Sequence, residues 1–189
     1  SGIYSPRGEL QRNLDVPANS PMGAEGSAAA VSPTEGIVLA SPRVGLTRFT
    51  LEGEPVFKGR DPEGLRYNFC SVLWRGTNIL LVDAQKVVHY DNQGIRLRAE
   101  PLANEVKNVS PMFGFGLGEG HACLDDEGLL YFTASRIRGV RIFDPENRFL
   151  THIPMENALA SAVGADGAVY VVHDNQLACF APKDGGARA

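Results

Sequence analysis

Residues Leu129 to Asn147 read Leu-Leu-Tyr-Phe-Thr-Ala-Ser-Arg-Ile-Arg-Gly-Val-Arg-Ile-Phe-Asp-Pro-Glu-Asn, and this stretch decides the fold. An apolar run is followed by a polar turn, then by a second run that closes on the aromatic Phe143, and then by a tight turn. In that turn proline presets φ, aspartate bonds its own backbone, and asparagine accepts the positive φ that most side chains resist. The stretch therefore predicts two strands joined by one turn and followed by another.

The closing aromatic and its tight turn recur along the chain. They are found at Tyr4-Ser-Pro-Arg-Gly8, Phe49-Thr-Leu-Glu-Gly53, Tyr90-Asp-Asn-Gln-Gly94, Phe143-Asp-Pro-Glu-Asn147 and Phe180-Ala-Pro-Lys-Asp-Gly185. The five aromatics lie 45, 41, 53 and 37 residues apart. A period of about 40 to 50 residues is typical of repeat architectures in which one small unit is used several times.

Two further segments precede the aromatic in four of the repeats. Short continuous apolar runs predict strands buried on both faces, because a strand with one wet face would alternate; these are Glu35–Ala40, Thr77–Val82, Glu127–Thr133 and Asp166–Val172. Runs of small residues upstream suit inner strands, where blades crowd together; these are Ser27–Val31, Phe69–Leu73, His121–Leu124 and Leu159–Val163. The sequence thus predicts an all-β fold, a β-propeller of about four to five short antiparallel blades.

The repeats predict a single β-propeller domain over residues 1–189. Its parts are a partial blade or closing strand at 1–14, blades at 24–63, 67–103, 104–155 and 156–185, and an inserted loop at 100–120. The first segment lacks two strands and the last lacks a fourth, so an N-terminal strand that completes the last blade would close a small ring. The alternative is a segment of a larger, six-bladed ring.

Composition narrows the class of protein. At 189 residues with 43% hydrophobic content, the chain is long enough for one good core. A formal charge of −4 gives no general attraction to nucleic acid or to an anionic membrane. No apolar run reaches the length of about 18 residues that a membrane span needs. We therefore predict neither a nucleic-acid partner nor a membrane partner.

Three cysteines, Cys70, Cys123 and Cys179, form no close pair in the sequence. They are predicted to be buried reduced thiols, which favours a reducing compartment such as the cytoplasm. The chain opens on Ser1-Gly2 without a methionine, and no signal peptide follows, so we expect a processed N-terminus.

His121 is the most informative of the four histidines. It opens a predicted inner strand close to Glu119, and in a propeller both side chains would lie near the central funnel. Glu119 and His121 are therefore the candidate catalytic acid and base. A simpler interpretation of His121 is a strand-end side chain that hydrogen-bonds to backbone. No two histidines have a metal-binding spacing, so the sequence predicts no metal site. No Gly-x-Ser-x-Gly motif occurs, so it gives no support to a nucleophile triad.

The candidate ligand-binding residues lie on loops and strand ends of the same predicted funnel. The glycine-rich loop 100–120 carries two phenylalanines, and long loops of this kind often bind ligands, although a plain crossover between blades is equally compatible. Arg136 shares a hairpin with two more arginines, which suits either an anion site or a solvated tip. The full set is Asn68, Cys70, Phe113, Phe115 and Arg136.

Two segments, Leu73–Gly94 and Asp125–Asn147, resemble the repeats of gluconolactonase and strictosidine-synthase-like propellers and of NHL-repeat proteins. The resemblance implies a six-bladed propeller, and the family lactonases bind a divalent cation such as calcium with Glu, Asn and Asp side chains. The matching positions in this sequence are Ala28, Cys70, Gly120 and Leu159. Their side chains are poor calcium ligands, so no cofactor is supported.

Two classes of function remain open from the sequence. Predicted funnel positions that are mostly Ala, Ser and Cys favour a binding module or accessory subunit that recognises a protein or a small molecule on one face. The alternative is a metal-independent hydrolase or cyclase of the strictosidine-synthase or lactonase-like type, with its site in the central funnel. A further polypeptide that completes the propeller is compatible with both.

Overall fold

The computed structural model describes residues 2–4, 7–13, 28–41, 44–61, 69–83, 86–102, 120–134 and 137–181. Seventeen strands run through these residues. They are β1 (Gly2–Tyr4), β2 (Leu10–Asn13), β3 (Ala28–Ser32), β4 (Gly36–Ser41), β5 (Gly45–Phe49), β6 (Pro55–Arg60), β7 (Phe69–Arg75), β8 (Asn78–Asp83), β9 (Lys86–Tyr90), β10 (Arg96–Pro101), β11 (Gly120–Leu124), β12 (Leu130–Ala134), β13 (Gly139–Phe143), β14 (Phe149–Pro154), β15 (Ala158–Val163), β16 (Val169–His173) and β17 (Gln176–Phe180). In this part of the chain no helix is long and apolar enough to cross a membrane.

Consecutive strands form four antiparallel sheets. The first blade has the order β3-β4-β5-β6, the second β7-β8-β9-β10, the third β11-β12-β13-β14 and the fourth β15-β16-β17, while β1 and β2 pair as a separate hairpin. A succession of small antiparallel sheets, each with its strands in sequence order, is the construction of a β-propeller. The predicted β-propeller fold is therefore confirmed, with four blades in the described residues.

The recurring aromatic ends a strand at every copy. Tyr4, Phe49, Tyr90, Phe143 and Phe180 are the last residues of β1, β5, β9, β13 and β17. Backbone hydrogen bonds close the turns that follow Phe49, Tyr90 and Phe143; in the last of these the Asn147 N–H donates to the Asp144 carbonyl at 2.9 Å. Asn147 adopts φ +62, the left-handed conformation expected from its turn position. Local turn chemistry thus fixes where each third strand stops.

The small-residue segments form the first strand of each blade, as predicted. β3 lies beside β7, and β11 lies beside β15. Short side chains let two sheets approach closely along these strands, so in each of these pairs adjacent blades meet through their inner strands.

Contacts divide the chain into two compact units, residues 1–82 with 88–99 and residues 83–87 with 100–189. The first unit is cross-linked by Arg48, which is largely buried with its partner Glu35. Its guanidinium donates to the Glu35 carboxylate at 3.1 Å and to the Asn92 carbonyl at 2.6 Å, and it lies 5.5 Å from the centre of the Trp74 ring. The core of this unit consists of Val38, Ala40, Leu46, Phe57, Val72, Ile79, Leu81, Val88 and Tyr90.

The second unit has its own core between the third and fourth blades. Side chains of β12 and β13 meet those of β15 and β16 there. The members of this core are Tyr131, Val140, Ile142, Ala158, Val169 and Val171. Apolar burial of this kind supplies most of the stability of a sheet pair.

Two sequence-based expectations about burial need correction. The second strands β8 and β12 are buried on both faces as predicted, but β4 and β16 alternate: Ile37 and Leu39 of β4 are only half-buried, and the side chain of Val172 on β16 is 39% exposed. Cys179 was expected to be a buried thiol and is instead exposed and free. Val172 and Cys179 lie on the same face of the fourth blade, and no other described residues cover that face. The predicted boundaries of blades and loop are not tested by these features and stay predictions.

Candidate functional site

A polar cluster lies between the third and fourth blades, and β11 supplies half of it. β11 pairs with β12 in a register that sets His121 opposite Thr133, so the two side chains share one face of the third blade with Cys123. β15 packs against β11 and β12 and brings Ser161 to this face. We call His121, Cys123, Thr133 and Ser161 the His121 cluster.

A pair of buried hydroxyls is the centre of the cluster. The Thr133 Oγ1 and Ser161 Oγ atoms are 2.7 Å apart, and both side chains are almost fully buried. The Cys123 Sγ atom lies 3.8 Å from the same Ser161 oxygen. Because buried polar groups are stable only when paired, the hydroxyl pair links the two blades at this point.

The imidazole of His121 is half-buried, and this burial affects its protonation state. Burial lowers the pKa of its imidazole, because the charged ring is poorly solvated, while a hydrogen bond with the Ser161 backbone raises it to a smaller extent. A bond that favours the protonated ring has the ring N–H as donor. His121 is therefore a neutral imidazole around pH 7, and its Nδ1 atom is buried without a hydrogen-bond partner among the described residues. The interpretation as a strand-end histidine near backbone is compatible with the position of His121 on β11.

The cluster does not hold an activated nucleophile. Burial raises the pKa of the Cys123 thiol, and a hydrogen bond with Ser161 only partly offsets the effect. A protonated thiol is a weak nucleophile. The Ser161 hydroxyl is buried and shared with Thr133, so it is not presented to a substrate. Covalent catalysis needs a nucleophile that is both accessible and activated, and within the described residues this cluster offers neither.

Replacing Thr133 with valine should destabilise the second unit by about 1 to 3 kcal/mol, because the buried Ser161 hydroxyl loses its close partner while the side-chain volume is kept. Urea denaturation followed by far-UV circular dichroism measures the change. Thr133→Ser, which retains the oxygen, should lose less. Adding Ser161→Ala to Thr133→Val should restore part of the stability, since no hydroxyl is then left unpaired. A valine variant as stable as the native chain would contradict the role of the pair.

The structure describes two of the seven predicted site residues. His121 lies at the second position of β11, and Cys70 at the second position of β7, the inner strand of the second blade. Five other predicted residues lie outside the described residues, and their proposed roles stay predictions: Asn68, Phe113, Phe115, Glu119 and Arg136. The described part of the site therefore consists of His121 and neighbours that sequence reasoning had not singled out.

Thr133 and Ser161 are the residues that the sequence did not reveal as site members. Ser161 is the only polar residue of the small-residue run that forms most of β15, which was a usable signal. Thr133 follows three apolar residues on β12 and gave no such signal. Their contact depends on which strand of the next blade lies beside β11, and a strand-by-strand interpretation does not contain that information.

The positions where the resembling lactonases place calcium ligands lie at the beginnings of inner strands. Ala28 and Gly120 are the first residues of β3 and β11, and Leu159 is the second residue of β15. These side chains carry no oxygen, and calcium requires several oxygen ligands. Among the described residues no three His, Cys, Asp or Glu side chains are arranged to hold a metal ion.

An acidic cavity of about 300 Å³ lies between the β11–β12 and β15–β16 turns. Its carboxylates include Asp125 and Asp166, which the turns use internally. Asp125 accepts the backbone N–H groups of Glu127 and Leu129 at 3.0 and 2.8 Å, and the Tyr131 hydroxyl at 3.0 Å. Asp166 accepts the Ala168 N–H at 3.0 Å. The carboxylates of Asp125 and Asp166 therefore serve to stabilise the two turns.

Comparison with known proteins supports the fold. No protein-family model matches the chain, and no curated protein sequence matches it. A protein of unknown function from Bacteroides caccae aligns with a TM-score of 0.53 and 12% identity over 83% of this chain and 61% of its own. Virginiamycin B lyase from Staphylococcus aureus aligns with a TM-score of 0.55 and 11% identity over 86% of this chain and 57% of its own.

The WD40 β-propeller domain of Doa1 aligns with a TM-score of 0.55 and 14% identity over 82% of this chain and 50% of its own. The chain thus spans between 50% and 61% of the length of these three solved structures. At such low identity the likeness shows the β-propeller fold alone. The β-propeller fold that the sequence resemblance implies is confirmed, whereas membership of the gluconolactonase or NHL-repeat families stays a prediction.

Proposed function

We propose that the chain is a binding module that takes a small polar molecule at the His121 cluster. The observation that supports this is the Nδ1 atom of His121, a buried ring nitrogen with no partner among the described residues. Buried polar atoms in folded proteins are normally paired. A neutral imidazole has one donor and one acceptor nitrogen, and in the proposed site Nδ1 is the acceptor for an N–H or O–H donor of the ligand.

The surroundings of His121 favour binding over chemistry. The thiol of Cys123 is held protonated by burial, and the hydroxyls of Thr133 and Ser161 bind each other. These groups surround the imidazole, and none of them is an activated nucleophile. Within this cluster the two hydroxyls bind each other, and Nδ1 of His121 is the polar atom without a partner among the described residues, which makes it the position for recognition of a ligand.

The test is a thermal-shift screen of small polar metabolites against the native chain, His121→Ala and His152→Ala. His152 is the matched control, since it lies exposed on β14 of the same blade. A ligand of the proposed site should stabilise the native chain and the control, and its affinity for His121→Ala should fall about tenfold, the effect of losing one buried hydrogen bond.

The pH dependence of such a ligand has a definite sign. Protonation of Nδ1 removes the acceptor, so binding should hold around neutral pH and weaken as the pH falls through the lowered pKa of His121. Isothermal calorimetry over a pH series, with NMR titration of the His121 ring, measures both quantities. Ligands that bind His121→Ala as well as the native chain would refute the proposal.

A second candidate, a metal-independent hydrolase, lyase or cyclase, is favoured by one observation. A neutral imidazole is the form that a general base requires, and His121 has it. The solved structures of similar fold include a Staphylococcus aureus virginiamycin B lyase with a histidine-to-alanine replacement, described as catalytically inactive. The test is hydrolysis or ring opening of lactones. Activity of the native chain that is lost in His121→Ala would establish this function, whereas an inactive native chain would contradict it.

A further inference from the structure

Within each unit, a blade packs against the next blade along the chain. In the first unit, Val38 and Leu46 of the first blade meet Ile79 and Leu81 of the second. In the second unit, the third blade meets the fourth through another set of side chains. We call the face that a blade turns to the next blade along the chain its forward face, and the opposite face its backward face. Both junctions join a forward face to a backward face.

Strand register identifies the forward face of the fourth blade. Leu130 lies opposite Phe143 in the third blade, and Val169 lies opposite Phe180 in the fourth, so the two blades can be aligned at their closing aromatics. Tyr131, Thr133, Val140 and Ile142 of the third blade then correspond to Tyr170, Val172, Leu177 and Cys179 of the fourth.

These corresponding positions differ sharply in exposure. Tyr131, Thr133, Val140 and Ile142 are all buried against the fourth blade or within the third. In the fourth blade Leu177 is 67% exposed, Val172 is 39% exposed, and the Cys179 thiol is also exposed. Val172 and Leu177 are direct cross-strand neighbours, so they form one continuous apolar surface. The forward face of the fourth blade therefore has the composition of a blade junction without a blade against it.

The backward face of the first blade is the complementary surface. β3 and β4 pair Val31 with Ile37 and Ala29 with Leu39, and these four side chains share the face opposite to the core residue Val38. Val31 is 66% exposed, and Ile37 and Leu39 are only half-buried. The first blade thus carries small and aliphatic side chains on its backward face. At the corresponding positions the fourth blade carries Val169 and Val171, which pack against the third blade.

We infer that the chain associates head to tail with a second copy of itself, with the forward face of the fourth blade seated on the backward face of the first blade of the other copy. The same two kinds of face, in the same order, already form both junctions within the chain. Exposed apolar surfaces of this kind mark interaction sites. The contact uses different faces on the two copies, so its repetition closes a ring or extends a filament.

The first test is light scattering coupled to size exclusion on the full chain over a concentration series. The native chain should have at least twice the monomer mass of 20.3 kDa. Leu177→Glu places a charge in the centre of the forward face and should weaken association about tenfold or more. Leu150→Glu is the control, because Leu150 is similarly exposed but lies on β14, outside both faces. Far-UV circular dichroism verifies that each variant is folded.

Mixing variants distinguishes this contact from other modes of association. Val31→Glu damages only the backward face and Leu177→Glu only the forward face, so each variant alone should be a monomer. An equimolar mixture should recover a heterodimer through the one junction in which both faces are intact. A monomeric native chain, association that survives Leu177→Glu, or a Val31→Glu variant that still dimerises through two forward faces would each overturn the inference.

Discussion

Replacing Phe143 with alanine is expected to lower the free energy of unfolding by about 3 to 5 kcal/mol, the range for removal of a fully buried aromatic side chain. Phe143 is 1% exposed and ends β13. It lies opposite Leu130 on one side and Phe149 on the other. Its ring meets that of Phe149 edge to face, with centroids 6.0 Å apart and an angle of 72° between the planes. Truncation therefore removes core packing and an aromatic pair together.

Urea denaturation followed by far-UV circular dichroism measures this effect, because a pure loss of stability shifts the midpoint and leaves the slope unchanged. Leu150→Ala is the control: this residue follows Phe149 on β14 and is 51% exposed. Its replacement should change stability by no more than about 0.5 kcal/mol. Equal effects of the two substitutions would show that the repeated aromatic does not anchor its blade.

The importance of Phe143 could be predicted from the sequence, because the signal is local. An aromatic followed by a turn recurs five times, and each copy ends a strand in the structure. Both the strand and its stop are encoded within a few residues, by apolar runs and by Pro, Asp, Asn or Gly in the turn. The small-residue inner strands were predictable for the same reason.

The features that the sequence did not predict all depend on neighbouring blades. The apolar run of β16 resembles that of β12, yet only β12 is buried on both faces, since a strand does not encode whether a second sheet covers it. Cys179 is exposed for the same reason. The Thr133–Ser161 hydrogen bond joins residues 28 apart in the sequence, on different blades. Of the candidate site, the sequence indicated His121 and its strand but not its partners.

Replacing Gly36 with alanine should destabilise the first unit by about 3 kcal/mol or more, the second large effect. Gly36 begins β4 with φ +92, a conformation that side chains with a Cβ adopt only with strain. A Cβ atom there would lie 2.2 Å from the Phe49 carbonyl oxygen and 3.1 Å from the Thr50 Cα. Both are backbone atoms of the neighbouring strand end, so relief requires a shift of the ladder itself, which adds to the conformational cost.

Gly76→Ala is the matched control for the effect of conformation alone. Gly76 occupies the corresponding turn of the second blade, between β7 and β8, with φ +59, and a Cβ atom added there would have no neighbouring atom within 4 Å. Its replacement should cost only about 1 to 2 kcal/mol. The single tryptophan, Trp74, belongs to the same unit, so its fluorescence during urea denaturation reports both variants.

The difference between the two variants reports the close approach of strands β4 and β5 together with the larger φ of Gly36, +92 against +59 at Gly76. If Gly36→Ala loses no more stability than Gly76→Ala, the Phe49 carbonyl is free to move, and the packing at the end of the first blade is looser than these distances imply. If the difference is about 1 kcal/mol or more, glycine is required at this turn by more than a positive φ as such. In that case the turn and the aromatic Phe49 act as one unit that fixes the end of the strand pair.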